Sequence, residues 1–221
     1  MSKYKKTIVW LYNLCIVRKD EESEGLEFMN LKLILQGIRN DLALTADERC
    51  FIENLSAEYK SWEKSLSKQE KYLIRKYTLN SHDNDKPNRF FERLNRVLRG
   101  DYAGSDKDKL FAYGQIISKA ICSQPITQQI VCYRGVDDDL MSDIAVGTIF
   151  KFGQFISTSI IENGALKKRF KYVILAPEGT KGAYIENISA FKGQYEFLLD
   201  YNCEFKLTAK NGRIIYLEVV V

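Results

Sequence analysis

Apolar residues in the first half of the chain recur at helical spacing. Leu31, Leu35, Ile38 and Leu42 stand three or four apart within Leu26–Leu44, which puts them on one helix face. Thr45, with Glu48 three residues on, is a capping-box signal, and the pattern behind it (Phe51, Leu55, Tyr59, Trp62) is again helical. Ser67 and Glu70 repeat that start ahead of Tyr72, Leu73 and Tyr77. Pro87 predicts the opening of another helix that Gly100 ends, and Lys107–Cys122 predicts the last. After Pro125 the texture changes to short β-rich runs parted by glycines and polar turns. The runs are Ile130–Tyr133, Thr148–Phe152, Gln154–Ser159, Lys171–Ala176, Tyr184–Ile188, Tyr195–Leu199, Cys203–Ala209 and Ile214–Val221. Helices first and strands afterwards predict an α+β fold with an N-terminal helical lobe, not alternating α/β.

Composition narrows the chemistry. With 221 residues, 45% of them hydrophobic and 28% charged, the chain fits one globular domain, with or without an added arm. Its one histidine, His82, lies in the polar run Asn80–Asp85 and reads as part of a solvated loop, which excludes a His-rich metal site and argues against a Ser-His-Asp triad. The five cysteines, Cys15, Cys50, Cys122, Cys132 and Cys203, are too widely spaced for a CxxC-type zinc site and read as reduced, mostly buried thiols. No G-x-G and no G-x-x-x-x-G-K run occurs, so neither the Rossmann fingerprint nor the P-loop is present. Near the N-terminus, Lys3, Lys5 and Lys6 precede the apolar run Thr7–Val17. That run is too short to span a membrane and lacks a small-residue cleavage site, so it is expected to pack on the domain.

Charge is unevenly placed. Residues 125–221 hold 11 basic and 11 acidic side chains, so the net +4 belongs to the first 124 residues. The helix from Pro87 to Arg99 concentrates it. Phe90, Phe91, Leu94, Val97 and Leu98 share one face, Arg89, Arg93 and Arg96 the opposite one, and Asn95 and Arg99 stack on the flank. Such a helix suits a solvated basic face, or an anion site for phosphates or nucleic acid.

Three segments of the β half carry candidate chemistry. In Tyr133-Arg134-Gly135 an arginine at the end of a β run can fork onto a phosphate, and a glycine lets a ligand approach the backbone. In Phe155–Ser159 alternation puts Ser157 and Ser159 on one face and Thr158 on the other. In Phe191–Glu196, Gln194 and Glu196 are expected on one face as a strand begins, where a carboxylate entering an apolar run is costly unless it is paired or has a chemical role.

In this order, Tyr133-Arg134-Gly135, Ser157-Thr158-Ser159 and Gln194-Tyr195-Glu196 resemble the R-S-E class of mono-ADP-ribosyltransferases in its Gln-x-Glu subtype. They are similar to the bacterial exoenzymes that modify Rho GTPases on asparagine, whereas arginine-modifying relatives typically carry Glu-x-Glu. Lys181–Ile185 and Ser189-Ala190-Phe191 also look like that class, and the resemblance covers roughly residues 46–221, leaving 1–45 as an arm of open role. It implies a helical lobe followed by a two-sheet, mostly antiparallel β core. It also implies toxin-like transfer of ADP-ribose from NAD, without a metal, to a macromolecular acceptor, with loss of nicotinamide. By the same resemblance Glu196 stabilises the ribose cation, Ser157 holds Glu196 and the ribose, and Arg134 anchors the NAD phosphates with Gly135 beside it. Gln194 orients the acceptor, and Phe191 lies on the exposed recognition turn. Leu94-Asn95-Arg96-Val97-Leu98-Arg99 is similar to a phosphate-contacting segment of the family, making Asn95 and Arg99 NAD contacts. Arg169 takes a clamp position on a mobile loop, with Leu166 where the family has an aromatic.

The resemblance leaves the acceptor open. A protein Asn or Gln side chain is expected first, with a small GTPase among the candidates. A nucleic acid modified inside the producing cell, as in toxin–antitoxin or phage-defence systems, is the alternative, and a catalytically silent NAD-binding adaptor is a third reading. An antitoxin or immunity partner accompanies the toxin readings. The expected location is the cytoplasm of the producing cell, or a target cell reached by a signal-free route.

Overall fold

The computed structural model describes residues 33–41, 43–79 and 89–221. The apolar run Thr7–Val17, Cys15, Leu31, Leu42, His82 and Pro87 therefore lie outside the described residues. Residues 33–41 are helical, and four helices follow: α1 (Ala46–Ser65), α2 (Lys68–Thr78), α3 (Phe90–Arg99) and α4 (Lys107–Cys122). The starts of α1 and α2 are where the capping signals put them, while α3 begins at Phe90 and not at Pro87. The Thr45 hydroxyl accepts from Glu48 N–H while the Glu48 carboxylate accepts from Thr45 N–H, and Ser67 and Glu70 repeat the exchange. In α3 the Glu92 carboxylate accepts from Arg89 N–H at 2.8 Å, and Gly100 ends the helix in the left-handed conformation at φ 84°.

The strands are β1 (Ile130–Val136), β2 (Ile149–Lys151), β3 (Ile156–Ser159), β4 (Phe170–Ala176), β5 (Gly182–Tyr184), β6 (Glu196–Leu199), β7 (Glu204–Asn211) and β8 (Ile214–Val220). A short 3-10 turn, Glu162–Gly164, follows β3. The sheet order is β2-β7-β8-β4-β1-β3-β6-β5, and only the β4–β8 pair is parallel. The expected α+β fold, mostly antiparallel, is observed. The two-sheet character takes the form of a five-stranded and a three-stranded part joined where β1 meets β3 through the single pair Tyr133–Ser159. One strand is shifted from its expected place. Residues 184–188 were to form it, but β5 ends at Tyr184, and Ile188 and Ser189 both donate to the Ile185 carbonyl at 2.8 Å, closing a turn.

One continuous apolar core joins helices to sheet. Leu55, Trp62, Ile74, Leu94 and Ile117 from the helices meet Ile174, Phe197, Leu198, Phe205 and Leu217 from the strands. Each such side chain contributes roughly 1.5–3 kcal/mol on burial. Trp62 also donates its indole N–H to the Ala120 carbonyl at 2.9 Å, locking α1 to α4. Arg93 departs from the expected solvated face: it is 4% exposed and ion-paired with Asp106. Only a paired arginine tolerates that burial. Among the described residues no helix is long and apolar enough to cross a membrane.

Candidate active site

Arg134, Ser157 and Glu196 come from β1, β3 and β6, which are consecutive in the sheet. The β3–β6 register pairs Ser157 with Leu198 and Ser159 with Glu196. Ser157 and Glu196 are thus diagonal neighbours on one face. The Ser157 hydroxyl donates to Glu196 Oε1, and the Ser189 hydroxyl donates to Oε2 at 2.9 Å. Glu196 is 4% exposed, and burial raises its carboxyl above the ordinary range against the opposing pull of the two hydroxyls and of Arg134. Arg134 donates from Nη1 to the Ser157 carbonyl at 2.6 Å, and no carboxylate among the described residues forms an ion pair with it. Burial lowers its pKa, so its charge is held at a desolvation cost.

Arg134 and Ser157 border a cavity of about 310 Å³ lined also by Gly135, Leu166, Lys168 and Gln194, among others. Gly135 is a glycine of necessity, because a Cβ there would collide with the Leu166 carbonyl oxygen. The close approach expected at Gly135 is therefore made, here by the chain's own loop. Lys168 spans the cavity rim in an ion pair with Asp137 at 2.6 Å.

Gln194 lines the cavity, though not by strand alternation as expected. The strand begins only at Glu196, and Tyr195 sits at φ 49°, the one non-glycine residue at positive φ among the described residues. Gly193 precedes it at φ 75°. A bulky residue held at positive φ costs about 1–3 kcal/mol and persists only where its surroundings enforce it.

One other expectation needs correction. Phe191 was to lie on the exposed turn, but it is 8% exposed; its backbone N–H donates to the Ser189 hydroxyl at 3.4 Å and its ring turns inward. Arg169, the expected phosphate clamp, is exposed, with its guanidinium over the Phe170 ring at 5.3 Å, and its neighbour Lys168 lines the cavity. Of the flank residues, Asn95 is buried and its amide exchanges hydrogen bonds with the Tyr77 hydroxyl, which also donates to the Phe155 carbonyl. Arg99 bridges Gln154 and Asp101 at the end of α3.

Sequence reasoning missed three residues. Ser189 is fully buried and holds the second oxygen of Glu196. Tyr77 links Asn95 to β3, and burial pushes its hydroxyl up to about 12. Glu186, 9% exposed, accepts from the backbone N–H groups of Gly193 and Glu196 and so lies directly beneath the turn. Glu186 has the same anomaly that drew notice to Glu196, a carboxylate in an apolar stretch; Ser189 and Tyr77 have no comparable signal.

The fold is the one found in ADP-ribosyltransferases. Residues 55–214 match the ADP-ribosyltransferase exoenzyme family, and the chain belongs to that family. Among curated proteins it is similar to the NAD(+)--arginine ADP-ribosyltransferase EFV of Enterococcus faecalis, at 33% identity over 125 residues. That match covers 52% of this chain and spans a quarter (25%) of the relative's length. Among solved structures, the fold is shared with Plx2a, an ADP-ribosyltransferase toxin from Paenibacillus larvae (TM-score 0.60, 20% identity, 76% of this chain and 94% of that one). It is shared equally with C3stau2 from S. aureus, solved with NAD (TM-score 0.60, 20% identity, 76% and 95%).

Proposed function

We propose that this chain cleaves NAD at the bond between nicotinamide and ribose and transfers the ADP-ribose to a side-chain amide, Asn or Gln, of a protein. The observation that carries this reading is the Glu196 carboxylate, buried and fixed by two hydroxyls beside Arg134. As nicotinamide departs, the ribose carbon becomes positive, and a carboxylate already oriented in a poorly solvated site stabilises that charge without reorganising. Arg134, half-buried and without a carboxylate partner among the described residues, suits a phosphate: its remaining donors supply the fork and the phosphate supplies the counter-charge. Ser157 fixes one oxygen of Glu196, and Gly135 lets the Leu166 loop close against β1 beside the cavity. Asn95 and Arg99 on α3 lie outside the cavity lining and serve this reading as further NAD contacts by resemblance alone. At the opposite edge Gln194 offers a neutral amide, which pairs with an acceptor amide by a reciprocal donor and acceptor.

A second reading has one observation in its favour. The 33% identical relative is named for arginine, which suggests a guanidinium acceptor. Against it, residue 194 is an amide where a carboxylate would best receive a guanidinium.

The test is incubation with labelled NAD and a cell lysate, followed by separate protease and nuclease digestion and mass spectrometry of modified peptides. Label on Asn or Gln is the expected result. Label on Arg selects the second reading, and nuclease-sensitive label replaces both with a nucleic-acid acceptor. Absence of both label and nicotinamide release refutes the transferase reading itself.

A further inference from the structure

The turn that carries Gln194 is held by a part of the chain more than 150 residues away. Gly37, Asn40 and Asp41 stand at i, i+3 and i+4, one face of the helical segment 33–41. That face rests on residues 192–195. Asn40, 7% exposed, donates from Nδ2 to the Gly193 carbonyl at 2.8 Å, and Asp41 Oδ1 accepts from the Tyr195 hydroxyl. Gly37 lies against the Lys192 and Gly193 backbone so closely that a Cβ on either glycine would collide with the other strand of chain. Both neighbours of Gln194 are thus fixed from one helical turn. The Gln194 side chain itself makes no hydrogen bond to any described residue, and Gln194 lines the cavity. Nothing in this contact reaches Arg134, Ser157 or Ser189.

We propose that Gly37, Asn40 and Asp41 are positioning residues for acceptor recognition. They hold the Lys192–Tyr195 turn in the shape that presents Gln194 to the acceptor, and they take no part in NAD cleavage. The proposal rests on the turn being the acceptor side of the site, as argued above. A loop that must place one amide against an incoming macromolecule gains from rigidity, since a displacement of the order of 1 Å costs ~10²-fold in rate. Water needs no such placement, so hydrolysis of NAD does not depend on the bracket.

The test compares two reactions of the full chain with labelled NAD: nicotinamide release in buffer, and protease-sensitive label in a cell lysate. Asn40→Ala, Asp41→Ala and Gly37→Ala are each expected to lower transfer by about ten- to a hundredfold while nicotinamide release and the KM for NAD stay at the level of the unaltered protein. Gly37→Ala is informative because alanine favours the helix itself, so its loss of transfer reports the lost docking. Asp41→Asn keeps an acceptor for the Tyr195 hydroxyl and is expected to retain transfer. Tyr195→Phe should match Asp41→Ala, and the two together should do no further damage. Parallel loss of both reactions, unchanged transfer, or Asp41→Asn behaving like Asp41→Ala overturns the proposal. Gln194→Ala, run alongside, separates it from the reading it rests on. Selective loss of transfer there, with none in the helical variants, sinks the bracket alone. Equal loss of both reactions sinks the acceptor role of Gln194, and the bracket is then decided by its own variants.

Discussion

The two sides of the site are built by different means. On the side assigned to NAD, Arg134, Ser157 and Glu196 sit on three adjacent strands; sheet register makes Ser157 and Glu196 neighbours, and Arg134 is tied to them by its hydrogen bond to the Ser157 carbonyl. On the side assigned to the acceptor, residues 191–195 form an irregular turn with two positive-φ residues. Its shape is enforced from outside, by Glu186 beneath and by Asn40 and Asp41 alongside. A substitution on the strands changes the chemistry and leaves the geometry. A substitution around the turn changes the geometry and leaves the chemistry. The first side therefore suits a reaction common to a family, and the second suits the choice of target.

The largest effect expected is that of Glu196→Gln. Removing the charge while keeping the shape should lower nicotinamide release and transfer together by ~10²–10³ or more. Thermal unfolding checks that the fold persists. Loss of transfer alone would put Glu196 on the acceptor side and erase the distinction between the two regions.

Arg134→Lys comes next. The charge remains but the fork is lost, and with it one or more charge-assisted hydrogen bonds worth about 1.5–3 kcal/mol, one to two powers of ten in kcat/KM for NAD. The loss is expected in KM, measured by nicotinamide release, with the ratio of transfer to hydrolysis unchanged. A shift in that ratio would mean that Arg134 also shapes the turn.

Ser189→Ala sharpens the comparison, because Ser189 touches both regions: its hydroxyl donates to Glu196 and accepts from Phe191 N–H. Losing one hydrogen bond to a buried carboxylate costs about 1.5–3 kcal/mol. Nicotinamide release should fall by about tenfold or more. A larger fall in transfer than in release would assign the serine chiefly to the turn.

The two sides were also unequally legible in the sequence. Capping boxes at Thr45 and Ser67, the Gly100 stop and eight β-rich runs gave the element order, because those signals are local. Ser157 and Glu196 could be picked out because residue type and strand alternation determine where such side chains point, and Arg134 because an arginine at the end of a β run is suited to a phosphate. The supports of the turn could not. Asn40 and Asp41 act across more than 150 residues, and nothing in a helical stretch of leucines and isoleucines marks the small polar stripe beside it as a docking face. Phe191 was misplaced for a related reason. An aromatic on a turn reads as exposed unless the backbone bond that folds it back, here to Ser189, is known. The solvated reading of Arg93 failed because its partner, Asp106, lies beyond its own helix, at the N-cap of the next.

The smallest effect expected is on stability, and its sign opposes that on activity. Burial raises the Glu196 carboxyl above its ordinary range, so the folded protein holds that proton more tightly than the unfolded chain does. Such a group adds stability below the ordinary carboxylate value, and the contribution is lost as pH rises through the raised folded value. At neutral pH the ionised carboxylate is therefore a stability cost that catalysis requires. Glu196→Gln removes it, since an amide can still bond both serine hydroxyls. Its Tm is expected to exceed that of the unaltered protein at neutral pH, with the excess shrinking as pH falls toward the ordinary carboxylate range. Activity of the unaltered protein should fall over the same interval, as Glu196 takes up its proton. Glu186 beneath the turn is raised in the same direction, again mainly by burial, so part of the pH dependence of stability should survive in the variant. If the variant is instead less stable at neutral pH, the bonds from Ser157 and Ser189 outweigh the burial of the charge, and the strand side of the site carries no stored cost.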